Sequence, residues 1–426
     1  MSLLLLLLLF LVLLVIGVPI AVTLALMGVA LALLDGNFHP VVLGHVMLQG
    51  LDSFSLLAVP FFMLAGGLME EGGISKRLME FASVLVGRMK GGLAQVTVVL
   101  SVLFAGLSGS AVADTAAVGS LLIPSMKEKG YRHGFAAAMV AAGGALGPII
   151  PPSIAMIVYA VIANVSVEKL FIGGILPGIA FGLLLMAYAH VEAVRYHYPR
   201  ETAPFELKAF LRVLGSSFPA LLLPVVILGG IRFGLFTATE SSAVAVVYAL
   251  FLGKFVYREL NWKRLPAIFA AAARGTSAVM LIIAVASFLS WVLTSRQIPQ
   301  LLTKQLLALS SNTTVVLILI NALVLLLGCF IDAVSIIVLI TPVAVPVIHH
   351  LGIDPVYFGL LLVLNVCIGA LTPPVGTCLF VASEVGKVNL IETAYGAVPI
   401  VLIAMSGLLL LILFPECLMF LPNLSH

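Results

Sequence analysis

Long apolar segments separated by short polar ones run through almost the whole chain. An apolar run of about 18 or more residues is long enough to cross a membrane as a helix. The first such helix is expected within residues 1–34, with a kink where Gly17 and Pro19 interrupt it. Further spanning segments are expected at about 48–69, 134–165, 168–193, 216–232, 237–256, 275–294, 355–385 and 392–417. This pattern predicts an all-α, polytopic membrane protein.

Two regions, about 92–126 and 313–349, do not fit a simple crossing. Each has two apolar arms of about 15 residues around a tip of small residues, at 106–110 in the first and 328–332 in the second. As a helix, an arm of that length is about 22 Å long and falls short of a hydrocarbon core roughly 30 Å thick. Both regions are therefore predicted to be re-entrant hairpins. Their non-helical tips require protein or a water-filled cavity around their backbone groups.

The two hairpin regions belong to a sequence repeat. Residues 106–177 align without a gap with residues 328–399, every position shifted by 222, and most identical pairs are Gly or Pro. These residues determine where a helix bends or stops. The identical pairs include Gly106 and Gly328, Ala111 and Ala333, Val112 and Val334, Pro124 and Pro346, Gly130 and Gly352, Gly147 and Gly369, Pro151-Pro152 and Pro373-Pro374, Gly174 and Gly396, and Pro177 and Pro399. Duplicated broken segments in a membrane protein indicate a transport site.

The repeat predicts how the chain is divided. Residues 1–52 are expected to form an N-terminal scaffold helix, and residues 178–274 the connecting scaffold helices. Repeat 1 would cover 53–177 with the first hairpin, and repeat 2 would cover 275–399 with the second. Residues 400–426 would complete the C-terminal helix.

The positions of Lys and Arg predict the orientation of the repeats. If neither hairpin makes a net crossing, seventeen of the 21 Lys and Arg lie on one side, and only Lys169, Arg232, Arg296 and Lys304 lie on the other. Such an excess marks the cytoplasmic side. Five crossings then separate the hairpins, and because five is odd, the repeats are expected to be inverted. Inverted repeats that meet near the midplane are typical of secondary transporters, in which one bundle moves against a fixed frame.

Composition narrows the function further. Of 426 residues, 62% are hydrophobic and 9% are charged, which leaves no room for a soluble domain and gives no sign of nucleic-acid binding. The cysteines are expected to be reduced packing residues, because no C-x-x-C motif is present; they are Cys329, Cys367, Cys378 and Cys417. No His pair has metal-ligand spacing, so no transition-metal site is expected. A phosphate-binding G-x-x-x-x-G-K-[ST] loop is also absent, so an ion gradient is expected to supply the energy, with no cofactor.

The strongest candidates for chemistry are Ser108, Gly109 and Ser110 at the first tip, with Asp332 matching Ser110 in the second. Interrupted helices expose carbonyl groups at one half-helix end and N–H groups at the other. The carbonyl groups, with Ser or Thr hydroxyls, suit Na⁺, whereas the N–H groups suit a carboxylate. The breaks at 147–152 and 369–374 are expected to face the tips, with Thr372 adding a hydroxyl. Alternatively, these Gly and Pro only kink packed helices.

Charged side chains inside apolar segments have both functional and structural interpretations. Burying an acid costs roughly 2.5–3.5 kcal/mol on insertion scales, which makes Asp114 and Asp332 functional candidates. Either acid could instead cap a helix. Glu240 is expected to cap a helix start, and Glu384 to be solvated. Arg296 could meet an anionic substrate on the outer side or extend to the membrane interface.

Two enzyme hypotheses are weaker. The stretch from Gly106 to Gly109 matches the G-x-S-G of an intramembrane serine protease, but no His lies deep in an apolar segment to act as its base. Asp114 and Asp332 could form an aspartyl dyad, but neither has the Tyr-Asp or Gly-x-Gly-Asp setting of such membrane proteases. An enzyme is therefore not expected.

Several motifs resemble those of one transporter family. They are Gly106-Leu-Ser-Gly-Ser-Ala-Val-Ala-Asp114, Ile123-Pro124 with Lys129-Gly130-Tyr131, Gly147-Pro-Ile-Ile-Pro-Pro-Ser153, Gly234-Leu-Phe-Thr-Ala-Thr-Glu240, Asp354-Pro-Val-Tyr-Phe-Gly359 and Thr372-Pro-Pro-Val-Gly376. Over about residues 10–421 the chain resembles the large membrane subunit of the tripartite ATP-independent periplasmic (TRAP) transporters. The resemblance implies an elevator-type Na⁺ symporter for organic acids, with a fold like that of the ion transporter superfamily, in the bacterial inner membrane.

The resemblance also implies sites and partners. Sodium sites carry over onto Ser108, Gly109 and Ser110 with Gly147, and onto Gly328 and Asp332 with Gly369, Thr372 and Pro373. Candidate substrate contacts are Asp114, Pro152, Ser153, Arg296 and Pro374. The expected partners are a small four-helix membrane subunit and a periplasmic substrate-binding protein, with no nucleic acid. The Ala-Val-Ala sequence before Asp114 is closer to sialic-acid and sugar-acid members than to C4-dicarboxylate members.

Three hypotheses follow for the function. The first is the translocating subunit of a Na⁺-coupled carboxylate uptake system. The alternatives are a self-sufficient ion-coupled carboxylate carrier that needs no binding protein, and a channel or structural membrane component.

Overall fold

The computed structural model describes residues 9–10, 12–13, 16–34, 36, 38–199, 206–309 and 312–424. Every regular element in these residues is a helix. Numbered along the chain, the α-helices are α1 (Ile20–Leu34), α2 (Pro40–Leu51), α3 (Ala58–Glu71), α4 (Ile74–Val86), α5 (Gly92–Ser108), α6 (Ala111–Glu128), α7 (His133–Gly144), α8 (Ile154–Ala163), α9 (Val167–Arg195), α10 (Leu207–Arg232), α11 (Ala238–Phe251), α12 (Leu265–Ser295), α13 (Ile298–Leu309), α14 (Thr313–Gly328), α15 (Ala333–His350), α16 (Pro355–Gly369), α17 (Thr377–Gly386), α18 (Leu390–Leu413) and α19 (Pro415–Asn423). Seven helical stretches in this part of the chain are long and apolar enough to cross a membrane.

The bounds of the helices follow the spacing of the sequence repeat. Helices α6 and α15 lie 222 residues apart at both ends, and α7 and α16 begin 222 residues apart. The turn after each hairpin uses a matched glycine in the left-handed region, Gly130 at φ 80° and Gly352 at φ 69°. The repeat of Gly and Pro is thus a repeat of helix starts and stops. The opposite membrane orientation of the two halves stays a prediction.

All four predicted breaks are present. The first hairpin consists of α5 and α6 with Gly109 and Ser110 between them, and the second of α14 and α15 with residues 329–332 between them. The long segments 134–165 and 355–385 each divide in two, into α7 and α8 and into α16 and α17. Both of these breaks contain a cis Pro-Pro bond, Pro151-Pro152 and Pro373-Pro374. Proline cannot donate the backbone hydrogen bond that would continue a helix.

The two repeats interlock. Helix α6 of the first hairpin packs against α17 of the second repeat, and α15 of the second hairpin packs against α8 of the first. Helices α7 and α18 also pack together. Helix α7 is buried from Gly134 to Gly144 and α16 from Val356 to Gly369, so these two half-helices lie in the core of the bundle. A second set of contacts joins α12 to α1, α2 and α3, and α3 to α11, and it meets the hairpins where α12 packs on α15 and α3 packs on α5.

Several sequence-predicted bounds were wrong. The segment 48–69 is two helices, because the chain turns at Asp52 and Ser53 between α2 and the 3₁₀ helix Phe54–Leu57 that leads into α3. The segment 392–417 divides at Phe414, and the segment 275–294 is only the later part of the 31-residue helix α12. Helices α4 and α13 were not predicted at all, because both are too short to cross a membrane.

Three local predictions concern a kink, a helix cap and the cysteines. Gly17 has φ 86° and α1 begins directly after Pro19, so the expected kink is present, although residues 1–8, 11 and 14–15 lie outside the described part. Glu240 caps α11 as predicted, in a reciprocal capping box with Thr237. All four cysteines are free, but Cys417 is exposed and does not pack in the core as expected.

Candidate functional site

The first hairpin tip is closed by its own small and polar residues. Gly109 has φ 62°, in the left-handed region that favours glycine, and ends α5. Ser110 then caps α6, since its hydroxyl accepts a hydrogen bond from the Ala113 N–H at 3.4 Å. The Ser108 hydroxyl oxygen accepts a hydrogen bond from the Ser110 N–H at 3.1 Å. The three residues predicted as a unit therefore do form one compact turn.

Asp114 lies behind this turn, almost wholly buried at 1% exposure. One carboxylate oxygen, Oδ1, accepts a hydrogen bond from the Ser108 hydroxyl at 2.5 Å. The other oxygen, Oδ2, has no hydrogen-bond partner among the described residues. The capping alternative for Asp114 was wrong, because Ser110 fills that role. A buried, unpartnered carboxylate oxygen is costly and suits a bound cation.

The second tip holds its acid differently. Asp332 is the N-cap of α15, with one carboxylate oxygen accepting from the Ser335 N–H at 3.1 Å and the other from the Ser335 hydroxyl at 2.5 Å. The prediction that Asp332 could cap a helix is thus confirmed. It does not exclude a second role, since a carboxylate has about four acceptor positions.

Each tip lies directly against a helix break. A Cβ placed on Gly109 would lie 2.6 Å from the Pro152 carbonyl oxygen, and one on Gly147 would lie 2.7 Å from Asp114 Oδ2. In the second half, a Cβ on Gly369 would lie 2.6 Å from the Gly328 Cα. Only glycine allows backbones to approach this closely. The predicted pairing of tips with breaks is therefore seen in both repeats.

A cavity of about 270 Å³, here called the central cavity, joins the two tips. Its walls include Gly109 and Ser110 from the first tip and Asp332 from the second. The first residues of α6 and α15 also line it, as do Pro148 and Ala370 from the two breaks. Residues distant in the sequence thus meet around one space large enough for several ions or part of a small organic acid.

The remaining predicted residues differ in their surroundings. Ser153 is buried and caps α8, and its hydroxyl donates to the Pro148 carbonyl at 2.5 Å. Pro152 is buried beside it, whereas Pro373 and Pro374 are exposed. The Thr372 hydroxyl donates to the Ile368 carbonyl at 2.8 Å and so continues the bonding of α16. The two breaks therefore differ in exposure although both have the Gly-x-x-x-Pro-Pro pattern.

Arg296 is placed away from the central cavity. One of its guanidinium nitrogens, Nη2, donates to the Leu31 carbonyl at 2.9 Å, which connects the end of α12 to α1. Arg296 is not among the residues that line the central cavity.

Two further cavities flank the hairpins. One of about 420 Å³, here called the side cavity, extends from Ser108 and Asp114 to Glu70, Glu71 and Arg264 at the ends of α3 and α12. Another of about 490 Å³ lies beside α15 and is lined by Asp52 and by Ser287 and Ser290 of α12. Each hairpin thus borders a cavity of its own.

Sequence reasoning missed several of these residues. Ser335 stands three residues after Asp332, the usual spacing between an N-cap and its partner, and could have been found from that signal. The pairing of Glu71 with Arg264 joins residues 193 positions apart and had no local signal. In the described part of the chain no group of three or more His, Cys, Asp or Glu is arranged to hold a metal ion.

Comparison with known proteins places the chain in a family. Residues 7–417 match the family model described as "Tripartite ATP-independent periplasmic transporter, DctM component". The 2,3-diketo-L-gulonate TRAP transporter large permease protein YiaN of Escherichia coli (strain K12) is 40% identical over 94% of this chain and 94% of its own length. The sialic acid TRAP transporter large permease protein SiaM of Vibrio cholerae is 38% identical over 96% of this chain and 95% of its own length.

A solved structure agrees at the level of the fold. The crystal structure of the Alcanivorax borkumensis YdaH transporter, described as having an unusual topology, matches with a TM-score of 0.68 at 16% identity. The match covers 92% of this chain and 96% of that chain. With its long apolar helices, the protein is a multi-pass protein of the bacterial inner membrane. The chain belongs to the DctM family, as the large permease subunit of a TRAP transporter.

Proposed function

We propose that this subunit couples the inward movement of Na⁺ to uptake of an organic acid that a periplasmic binding protein delivers. The central cavity is the observation that carries the proposal. It brings together both hairpin tips and both helix breaks, which are the elements expected to bind ion and substrate.

The donors at the first tip support Na⁺ as the coupling ion. Ser108 and Ser110 supply hydroxyl oxygens, and Asp114 Oδ2 is buried with no partner in the described residues. Hard cations of this kind bind oxygen ligands. We propose that Ser108, Gly109, Ser110 and Gly147 hold one Na⁺. In the second half, Gly328 and Asp332 with Gly369, Thr372 and Pro373 would hold another.

The helix starts support an anionic substrate. Ala111 and Val112 begin α6, Ala333 and Val334 begin α15, and all four line the central cavity. Two helix N-termini therefore face one space. That of α6 is capped by the neutral Ser110 and carries a partial positive charge that favours a carboxylate, whereas the Asp332 carboxylate already caps that of α15. Bound Na⁺ would add to this attraction. Relatives named for 2,3-diketo-L-gulonate, sialic acid and C4-dicarboxylates support an organic acid as the substrate class, and the Ala-Val-Ala sequence before Asp114 is the reason to propose a sugar acid among them.

The packing supports an elevator movement. Because each hairpin packs on a half-helix of the other repeat, the tips and breaks form one interlocked bundle. Helices α1, α2 and α3 all pack on α12, and these four helices form the frame. We propose that the bundle slides against this frame, which a small membrane subunit would extend.

The test is uptake of labelled sugar acid into proteoliposomes that contain this chain and its small subunit, with loaded binding protein added outside. Uptake that requires both an inward Na⁺ gradient and the loaded binding protein is expected. Uptake without any binding protein would support the self-sufficient carrier instead. Uptake that persists when Na⁺ is replaced by K⁺ on both sides would exclude Na⁺ coupling.

A further inference from the structure

The side cavity has an unusual balance of charge for the transport of an organic anion. Three carboxyl groups line it, those of Glu70, Glu71 and Asp114, whereas Arg264 is the one Lys or Arg among its lining residues in the described chain. The seventeen-to-four distribution of basic residues assigns Arg264 to the cytoplasmic side. A substrate that leaves along this cavity would therefore meet a single cation, close to the exit.

Arg264 is held by a carboxylate group, and the carboxylate of another molecule could take its place. Its Nη1 donates to both carboxylate oxygens of Glu71, at 3.0 Å and 3.3 Å. The side chains are 65% and 39% exposed, respectively. An exposed ion pair is weak, because water and salt screen it. Glu71 presents to Arg264 the same chemical group that an organic acid would present.

Arg77 lies at the same end of the molecule as Arg264, but its contacts give it a structural role. Its side chain is 19% exposed and is held by the Gly73 carbonyl at 2.8 Å and by Glu259 at 2.9 Å. Its guanidinium also stacks over the Tyr257 ring at 3.8 Å. Substituting Arg77 would break several contacts, whereas substituting Arg264 removes one exposed pair.

We infer that Arg264 and Glu71 form a carboxylate-exchange site at the cytoplasmic exit. The carboxylate of the departing substrate displaces Glu71 from Arg264, and Glu71 then returns and releases the substrate to the cytoplasm. Glu71 therefore weakens rebinding from the inside and limits inhibition by accumulated product. This inference rests on the proposed uptake of an organic acid and names the exit contact for it.

Inhibition of uptake by internal substrate tests the inference. Proteoliposomes with the complete transporter are filled with rising concentrations of unlabelled sialic acid or 2,3-diketo-L-gulonate, whichever the wild type takes up faster. Loaded binding protein is added only outside. Uptake is therefore measured only for transporters whose periplasmic side faces the outside of the liposome. The measured quantity is the internal concentration that halves the initial rate of uptake.

Arg264→Gln is expected to raise that concentration roughly two- to five-fold, within the range an exposed ion pair can account for. Glu71→Gln is expected to lower it by a similar factor, because Glu71 then no longer competes with the substrate for Arg264. The double variant should match Arg264→Gln, since Glu71 acts only through Arg264. Arg264→Lys should recover part of the wild-type value, and the KM for loaded binding protein outside should stay unchanged.

Lys263→Gln is the matched control, because it removes the same charge from the adjacent exposed residue, which does not line the side cavity. Equal effects of Lys263→Gln and Arg264→Gln would overturn the exchange site, as would a rise in the half-inhibiting concentration for Glu71→Gln. Either result would leave the proposed uptake intact if the wild type still transports. A wild type that takes up neither acid, nor a C4-dicarboxylate offered with its own binding protein, would instead refute the proposed function, and the exchange site with it.

Discussion

The Ser108 hydroxyl donates a hydrogen bond to Asp114 Oδ1 at 2.5 Å and so joins the end of α5 to the first turn of α6. The acid of the second tip, Asp332, is bonded instead within its own arm, to Ser335. Two tips that align without a gap in the sequence thus use their acids differently. A substitution at Asp114 should loosen the whole first tip, whereas one at Asp332 should first affect the cap of α15.

Asp114→Asn should reduce Na⁺-driven uptake by at least about 10-fold. The amide keeps an oxygen that can accept from Ser108, but it removes the negative charge that a cation at Oδ2 would need. The measurement is uptake at several Na⁺ concentrations, with the amount of inserted protein determined in parallel. Glu384→Gln removes an exposed acid and should leave uptake unchanged. Wild-type dependence on Na⁺ in Asp114→Asn would contradict an ionic role for this residue.

Asp332→Ser and Asp332→Ala together separate capping from ion binding. Serine is about as good an N-cap as aspartate, whereas alanine loses about 1 kcal/mol of helix stability. We therefore expect only the alanine variant to lower the thermal unfolding midpoint in detergent, while both variants lose Na⁺-dependent uptake. The serine variant also reproduces the residue at the matching position, Ser110. Full Na⁺-dependent uptake in Asp332→Ser would show that Asp332 acts only as a helix cap.

The breaks could be predicted because Gly and Pro act on their own backbone. The residues at 147–152 and 369–374 interrupt their helices in the structure as the sequence indicates, and both hairpins have the predicted tips. Helices α4 and α13 were missed because their sequences are neither long nor uniformly apolar, and a rule based on crossing length does not detect them. The turn at Asp52 was missed because the apolar pattern continues on both sides of it.

Contacts between distant parts of the chain could not be predicted from the sequence. Arg296 was considered for substrate binding because of its charge and side of the membrane, but its bond to the Leu31 carbonyl depends on how α1 and α12 pack. In the same way, nothing in the sequence indicates that Pro373 is exposed while its counterpart Pro151 is buried. Burial of a break is decided by the helices around it, which one sequence does not specify.

Gly369→Ala should destabilise the protein and impair uptake. The added Cβ would lie 2.6 Å from the Gly328 Cα, so the second tip and its facing break would have to separate. Overpacking of this kind typically costs about 1–3 kcal/mol. Gly407→Ala is the matched control, because nothing lies within 4 Å of the Cβ it would add to α18. The thermal unfolding midpoint and the rate of Na⁺-driven uptake should both fall in Gly369→Ala alone, and equal behaviour of the two variants would contradict the close approach.

Arg296→Gln distinguishes an anchor from a substrate contact. As an anchor, Arg296 stabilises the junction of α12 with α1 through the Leu31 carbonyl, and a hydrogen bond from a charged group contributes about 1.5–3 kcal/mol. Because the side chain is only partly buried, we expect a loss near the lower end of that range and a lower unfolding midpoint. The KM for loaded binding protein should not change. Lys304→Gln removes an exposed charge on the same predicted side of the membrane and should alter neither quantity. A KM that rises several-fold in Arg296→Gln, with the unfolding midpoint unchanged, would instead make Arg296 a residue that meets the substrate.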